Sequence, residues 1–183
     1  EPVYVHIDVE DYYRKIDGTE GSFADFKKNA SAYESDFEKF SQVADIFIAG
    51  HFYKNGSPKI LTKEMLNNAN NAIKVVADVS CDIDGPIDCT IRVSTIADPI
   101  YGYYPRENKE VPVDHPAAVV VMAVDNLPCE LPKDASEGFG EMFIEHIIPA
   151  FFNNDKDQIL ERGTICESGK LTERFSYLAD FVK

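Results

Sequence analysis

Apolar residues enter this chain as short, β-branched runs, separated by stretches in which apolar positions recur every three or four residues. Runs without strict alternation suit strands covered on both faces, and the intervening period suits helices that cross over a sheet. Four runs stand out: Val3–Ile7, Ala44–Ala49, Lys74–Val79 and Ala117–Val124. The last is the most hydrophobic, as a central strand should be. Between them, Ser35–Val43 predicts a short helix with Phe37 and Phe40 on one face. Thr62 caps a second helix that runs through Glu64, Met65 and Leu66 to about Ala72.

The rhythm breaks over residues 83–116, where Gly85, Pro86, Pro99, Pro105, Pro112 and Pro116 predict an irregular insertion of loops and short extended pieces. Tyr101, Tyr103 and Tyr104 lie within it and either line a cleft or cover a core edge. After the fourth run, Pro132 and Asp134 suit a helix start, and Phe139, Phe143 and Ile147 recur every fourth residue before Pro149. That helix is expected to pack firmly. A last amphipathic helix over residues 171–182 places Phe175, Leu178 and Val182 on one side, to dock on the body of the domain. The order predicts an α/β fold: a partial doubly wound, Rossmann-like, mainly parallel sheet with flanking helices. At 183 residues it predicts one unit, 1–183.

Composition narrows the partners. Eighteen Lys and Arg stand against 32 Asp and Glu, a formal charge of -14, and that field repels a phosphate backbone. Nucleic acid is therefore not an expected partner. No apolar run approaches the ~20 residues that cross a bilayer, so membrane is not one either, and a cytoplasmic location is expected. Cys81, Cys89, Cys129 and Cys166 are scattered without C-x-x-C spacing, which predicts reduced, structural thiols and no metal.

In an open parallel sheet, ligands bind beyond the carboxyl ends of the strands. The residues that follow the runs therefore carry the candidate chemistry. Gly50 lets the backbone approach a flat ligand closely, or simply ends a strand; His51 and Phe52 follow it. His51 is either an acid–base group or a packing residue. Asp82 either points its carboxylate into the crevice or caps a turn. Asp125 and Asn126 close the most hydrophobic run, followed by Leu127; they either bond a ligand there or cap the loop before the next helix.

Three of these stretches carry a family resemblance. Ala44-Asp-Ile-Phe-Ile-Ala-Gly-His-Phe-Tyr53, Ala77-Asp-Val-Ser-Cys-Asp82 and Val124-Asp-Asn-Leu-Pro128, followed by Leu131-Pro-Lys-Asp-Ala-Ser136, resemble the carboxy-terminal region of lysine-ketoglutarate reductases and saccharopine dehydrogenases. A weaker likeness reaches alanine dehydrogenases and the soluble part of transhydrogenase. The resemblance implies NAD- or NADP-dependent oxidoreduction at the secondary amine that joins lysine to 2-oxoglutarate, with a small amino-acid substrate. It implies that Gly50, His51, Phe52, Asn126 and Leu127 border the nicotinamide and its ribose. Asp125 matches an acidic residue near the reaction centre, and Asp82 an alanine dehydrogenase carboxylate.

The departures matter as much. No G-x-G-x-x-G occurs, so the turn that cradles a pyrophosphate at a helix amino terminus is missing. The family's catalytic lysine and histidine belong to an amino-terminal domain that does not match any part of this chain. The expectation is a carboxy-terminal piece of a longer enzyme, inactive alone, whose partner is the amino-terminal domain of the same protein. Homo-oligomerisation stays open. The alternatives are a non-catalytic assembly or small-molecule-sensing domain on the same fold, and another amino-acid dehydrogenase of the superfamily.

Overall fold

The computed structural model describes residues 1–51, 53 and 56–182, and its contacts form two compact units that part between Leu127 and Pro128. The single unit expected from the sequence is therefore two, each with its own contacts.

The first unit opens with the single-turn helix α1 (Val9–Tyr12) and strand β1 (Tyr13–Lys15), followed by α2 (Phe23–Lys28) and β2 (Tyr33–Ser35). Ser22 starts α2 by accepting a hydrogen bond from the Asp25 amide at 3.2 Å. β1 and β2 pair antiparallel. They hold an aromatic cluster in which Phe26 stacks on Tyr13 at 4.7 Å and meets Tyr33 edge-on at 5.3 Å.

Next come α3 (Glu38–Ser41), β3 (Ile46–Ala49), α4 (Lys63–Leu66), β4 (Val75–Asp78), β5 (Ile100–Tyr104), β6 (Lys109–Val111) and β7 (Val119–Met122). The last five strands form one sheet in the order β3-β4-β7-β5-β6. β3, β4 and β7 run parallel, while β5 and β6 extend the sheet antiparallel. The fold is α/β with a mixed, Rossmann-like sheet. Three of the four apolar runs are its parallel strands, side by side.

Register explains which residues are buried. Phe47 pairs with Val76, Val76 with Val121 and Val121 with Tyr101, so one face carries an unbroken apolar row across four strands. Phe37 covers it, 4.6 Å from the Phe47 ring and itself fully buried. Each such side chain contributes about 1.5–3 kcal/mol through burial. The opposite face is barer: Ile46 and Ile48 on the edge strand β3 are about 60% exposed.

Val3–Ile7 is not a strand; Val3, Tyr4 and Val5 are exposed and unpaired. β-propensity without a neighbour to complete the ladder does not assemble a strand. Thr62 does cap α4, accepting from the Met65 amide at 3.3 Å. Yet α4 stops at Leu66 rather than Ala72, because Asn68 bonds the Asn70 amide through its side chain and the Asn71 amide through its carbonyl. Local bonds of that kind compete with helical ones. The insertion also holds more order than its prolines suggest, since Tyr101 and Tyr103 of β5 are buried on the sheet.

The second unit contains α5 (Pro132–Met142), a π turn at Phe143–Ile147, a 3-10 turn at Ile148–Phe151, α6 (Ile159–Gly163), and the β8–β9 hairpin (Cys166–Glu167 with Lys170–Leu171). α5 buries none of its residues; Phe139 is 72% exposed. The expectation of firm packing is corrected: a unit this small has little apolar surface with which to cover a stripe. The final segment is a 3-10 run, Glu173–Phe181, broken at Phe175 and without buried residues. Its tighter winding aligns every third residue, so Leu178 lines up with Phe181 rather than with Val182, which lies beyond the run, and the expected face is not reproduced. Leu171 belongs to β9 instead.

Candidate functional site

The parallel strands end level with one another. Ala49 of β3 pairs with Asp78 of β4, and Ala77 pairs with Met122 of β7. The chain leaves these ends as Gly50-His51, Val79–Asp82 and Val124–Leu127, so the loops carrying Gly50, Asp82 and Asp125 leave the same sheet edge. Their charges are felt there together. Asp78 and Asp82 act on His51, and burial first, then Asp78, Asp125 and Asp82, hold the Cys81 thiol above its ordinary value.

Each candidate has a defined setting. Gly50 is exposed, and a Cβ built on it meets nothing within 4 Å among the described residues, which leaves its backbone open to a ligand. His51 is half-buried. Both ring nitrogens are out of contact with solvent and have no hydrogen-bond partner among the described residues. Burial lowers the imidazole pKa, only partly opposed by Asp78 and then Asp82, so His51 is neutral near neutral pH. Phe52 lies outside the described residues.

The Asp82 carbonyl accepts from the Gly85 amide at 2.9 Å; its backbone thus closes the turn, and its exposed carboxylate makes no hydrogen bond among the described residues. Asp125 and Asn126 lie exposed in the turn after β7, and Leu127 is half-buried at the start of a 3-10 turn. Leu131 stands at the cap position before helix α5, which has no side-chain cap, so neither Asp125 nor Asn126 serves as its capping group.

A further carboxyl group lies beneath these loops. Asp78 is wholly buried at the end of β4. Its Oδ1 accepts from the amides of Ser80 and Cys81 at 3.0 and 3.3 Å, and its Oδ2 from the Thr90 hydroxyl at 2.6 Å. The bonds hold Cys81 in a left-handed conformation, φ 55. Ser94, also fully buried, bonds both the amide and the carbonyl of Ala123. Sequence reasoning passed over Asp78 because Asp82 stands in the more conspicuous loop. The available signal was a charged residue inside the apolar run Val75-Val-Ala-Asp78.

Elsewhere, a polar depression of about 360 Å³ is lined by Lys59, Lys63, Asp84, Asp88 and Asn108. Asp88 there is already bonded by the Lys59 ammonium and the Lys63 amide. Among the described residues no cluster of His, Cys, Asp and Glu gathers to hold a metal ion. All four cysteines are free; Cys89 is buried, whereas Cys129 and Cys166 are exposed rather than packed.

The family model described as Alanine dehydrogenase/PNT, C-terminal domain, matches residues 8–174. The chain belongs to this family. Among curated relatives it is similar to an alpha-aminoadipic semialdehyde synthase of Arabidopsis thaliana, 28% identical over 162 residues, which cover 85% of this chain and 15% of that protein. It is similar to a saccharopine dehydrogenase (NAD(+), L-lysine-forming) of Schizosaccharomyces pombe, 32% identical over 57% of this chain and 27% of that protein. The corresponding enzyme of Candida albicans is 30% identical over 72% of this chain and 33% of its own length. The chain thus spans a third or less of these relatives.

The residues suit one end of the alanine dehydrogenase/PNT cofactor better than the other. An open glycine backbone, an imidazole whose buried nitrogens have no partner among the described residues and two exposed turn residues can receive a nicotinamide, its carboxamide and its ribose. Nothing here provides the glycine-rich turn for a pyrophosphate. Among the described residues, no helix is long and apolar enough to cross a membrane.

Proposed function

We propose that this chain forms the nicotinamide side of the catalytic crevice in a saccharopine-type, NAD- or NADP-dependent oxidoreductase of lysine metabolism. The carrying observation is that Gly50-His51, Asp82 and Asp125 leave the carboxyl ends of adjacent parallel strands in a chain matched over residues 8–174 by a dehydrogenase family model. Ligands of open α/β sheets bind at that edge.

The substrate is the secondary amine uniting lysine with 2-oxoglutarate, or the two separate compounds in the reverse direction. The cofactor supplies hydride chemistry. In this reading Gly50, Asn126 and Leu127 receive the nicotinamide and ribose, His51 offers a neutral ring nitrogen, and Asp82 borders the same pocket. Asp125 assists proton transfer near the reacting carbon. Phe52 belongs to the same group by resemblance alone. The phosphate cradle and the remaining acid–base groups come from polypeptide outside these 183 residues. β3 is an end strand of the sheet among the described residues, and its free backbone edge gives that polypeptide a place to continue the sheet.

The test is saccharopine-dependent formation of NADH or NADPH, measured on the protein at its natural length and on residues 1–183 alone. Activity in the former and none in the latter supports the proposal. A natural-length protein inert toward saccharopine, lysine with 2-oxoglutarate, and other amino acids would leave the non-catalytic domain as the better account.

A further inference from the structure

We propose that Asp78, Thr90 and Ser94 form a buried polar brace that sets the spacing between the loop carrying Asp82 and the loop carrying Asp125. This rests on the nicotinamide-site reading above. All three side chains are essentially inaccessible, and all three bond to backbone or side chains at the carboxyl ends of β4 and β7. Thr90 Oγ1 donates to Asp78 Oδ2 at 2.6 Å. Four residues on, the Ser94 amide donates to the Ala123 carbonyl at 2.8 Å while its hydroxyl accepts from the Ala123 amide at 2.9 Å. Residues 90–94 thereby cross from the end of one parallel strand to the end of the next.

The other bonds of Asp78 show what is braced. Its Oδ1 takes the Ser80 and Cys81 amides, which fixes the path into Asp82. Ser80 in turn donates through its hydroxyl to the His51 carbonyl at 3.2 Å, which extends the link to the loop after β3. The Thr90 end of the strap is anchored a second time, since the Ile91 amide donates to the Tyr101 hydroxyl, which itself donates to the Cys89 carbonyl.

A buried polar group is costly unless bonded, and a fully bonded network specifies one geometry. Apolar residues would fill this space without that cost, so the network's distinctive product is a fixed distance between two loop stems. Candidate reacting groups sit on those stems. Small misplacements of reacting groups cost up to ~100-fold in rate. Asp78, Thr90 and Ser94 touch no substrate in this account; they are positioning residues.

The experiment compares Thr90→Val, which keeps shape and removes the hydroxyl, with Thr90→Ser, which keeps the hydroxyl, and adds Ser94→Ala, all in the natural-length protein. Expected are a fall of about tenfold in kcat per folded molecule for Thr90→Val and Ser94→Ala, a much smaller change in KM, and recovery of most of kcat in Thr90→Ser. Wild-type kcat in folded Thr90→Val and Ser94→Ala overturns the proposal. Amide exchange at Ser80, Cys81 and Ala123, whose amides the brace bonds, reads it without any reaction. Faster exchange in Thr90→Val than in Thr90→Ser supports it, and equal exchange in the two overturns it. A wild-type protein without saccharopine turnover defeats the proposed function, while the exchange comparison still decides the brace.

Discussion

The Ser80 hydroxyl donates to the backbone carbonyl of His51 at 3.2 Å, tying the loop after β4 to the loop after β3, where the charges of Asp78 and Asp82 act on the imidazole. Burial dominates their attraction, so the His51 pKa falls below its ordinary 6.5. The unfolded chain then binds more protons than the native one as pH drops below about 6.5, and stability is lost through that window down to the native pKa. Above about 6.5 the contribution is intact. His51→Gln should reduce the loss of melting temperature between pH 7.5 and 5.5. A direct NMR titration placing the native imidazole at or above its ordinary value would refute the assignment.

Phe37 is the keystone of the apolar row on the covered face of the sheet. It packs on Phe40 at 5.8 Å and Phe47 at 4.6 Å and is 1% exposed. Phe37→Ala should cost about 3–5 kcal/mol, read as a lower urea midpoint with an unchanged slope. A loss below about 1 kcal/mol would show that the row packs without it.

Gly102 is required by close approach rather than by backbone conformation. A Cβ there would sit 2.7 Å from the carbonyl oxygens of Val111 and Pro112, inside the pairing of β5 with β6. Those oxygens belong to backbone and cannot swing aside. Gly102→Ala should destabilise by about 1–3 kcal/mol and speed amide exchange in Lys109–Val111. Unchanged exchange would mean that β6 shifts freely.

The parallel core was legible because β3, β4 and β7 are apolar runs, and the carboxyl-end rule then located Gly50, Asp82 and Asp125 on one edge. Val3–Ile7 misled for the complementary reason: composition reports propensity, whereas a strand also needs a neighbour. β5 was hidden among prolines, its buried Tyr101 and Tyr103 compatible with several roles. Asp78, Thr90 and Ser94 were invisible as a group, since their partnership depends on register between strands far apart in sequence. No local pattern reports that a threonine will meet an aspartate twelve residues away.

Asp125 and Asn126 lie in the turn after β7, next to the buried Val124, and both are exposed and without hydrogen-bond partners among the described residues. Polar side chains at the end of the most apolar strand, free of structural bonds and not capping α5, are available to a ligand. Replacing either with alanine in the natural-length protein should therefore lower kcat/KM by ~1–3 kcal/mol, the range for a lost hydrogen-bond partner once a ligand covers it. Melting temperature should stay within about a degree, because exposed positions away from caps and core contribute little to stability. Asp125→Ala should have the larger effect, since a carboxylate can move a proton as well as accept a hydrogen bond. Asp125→Asn separates those roles: it keeps an acceptor and removes the titratable group, so a rate as low as that of Asp125→Ala assigns proton transfer, and near-normal activity assigns hydrogen bonding alone. Normal kinetics with lowered melting in both alanine variants would make the pair structural and remove them from the site.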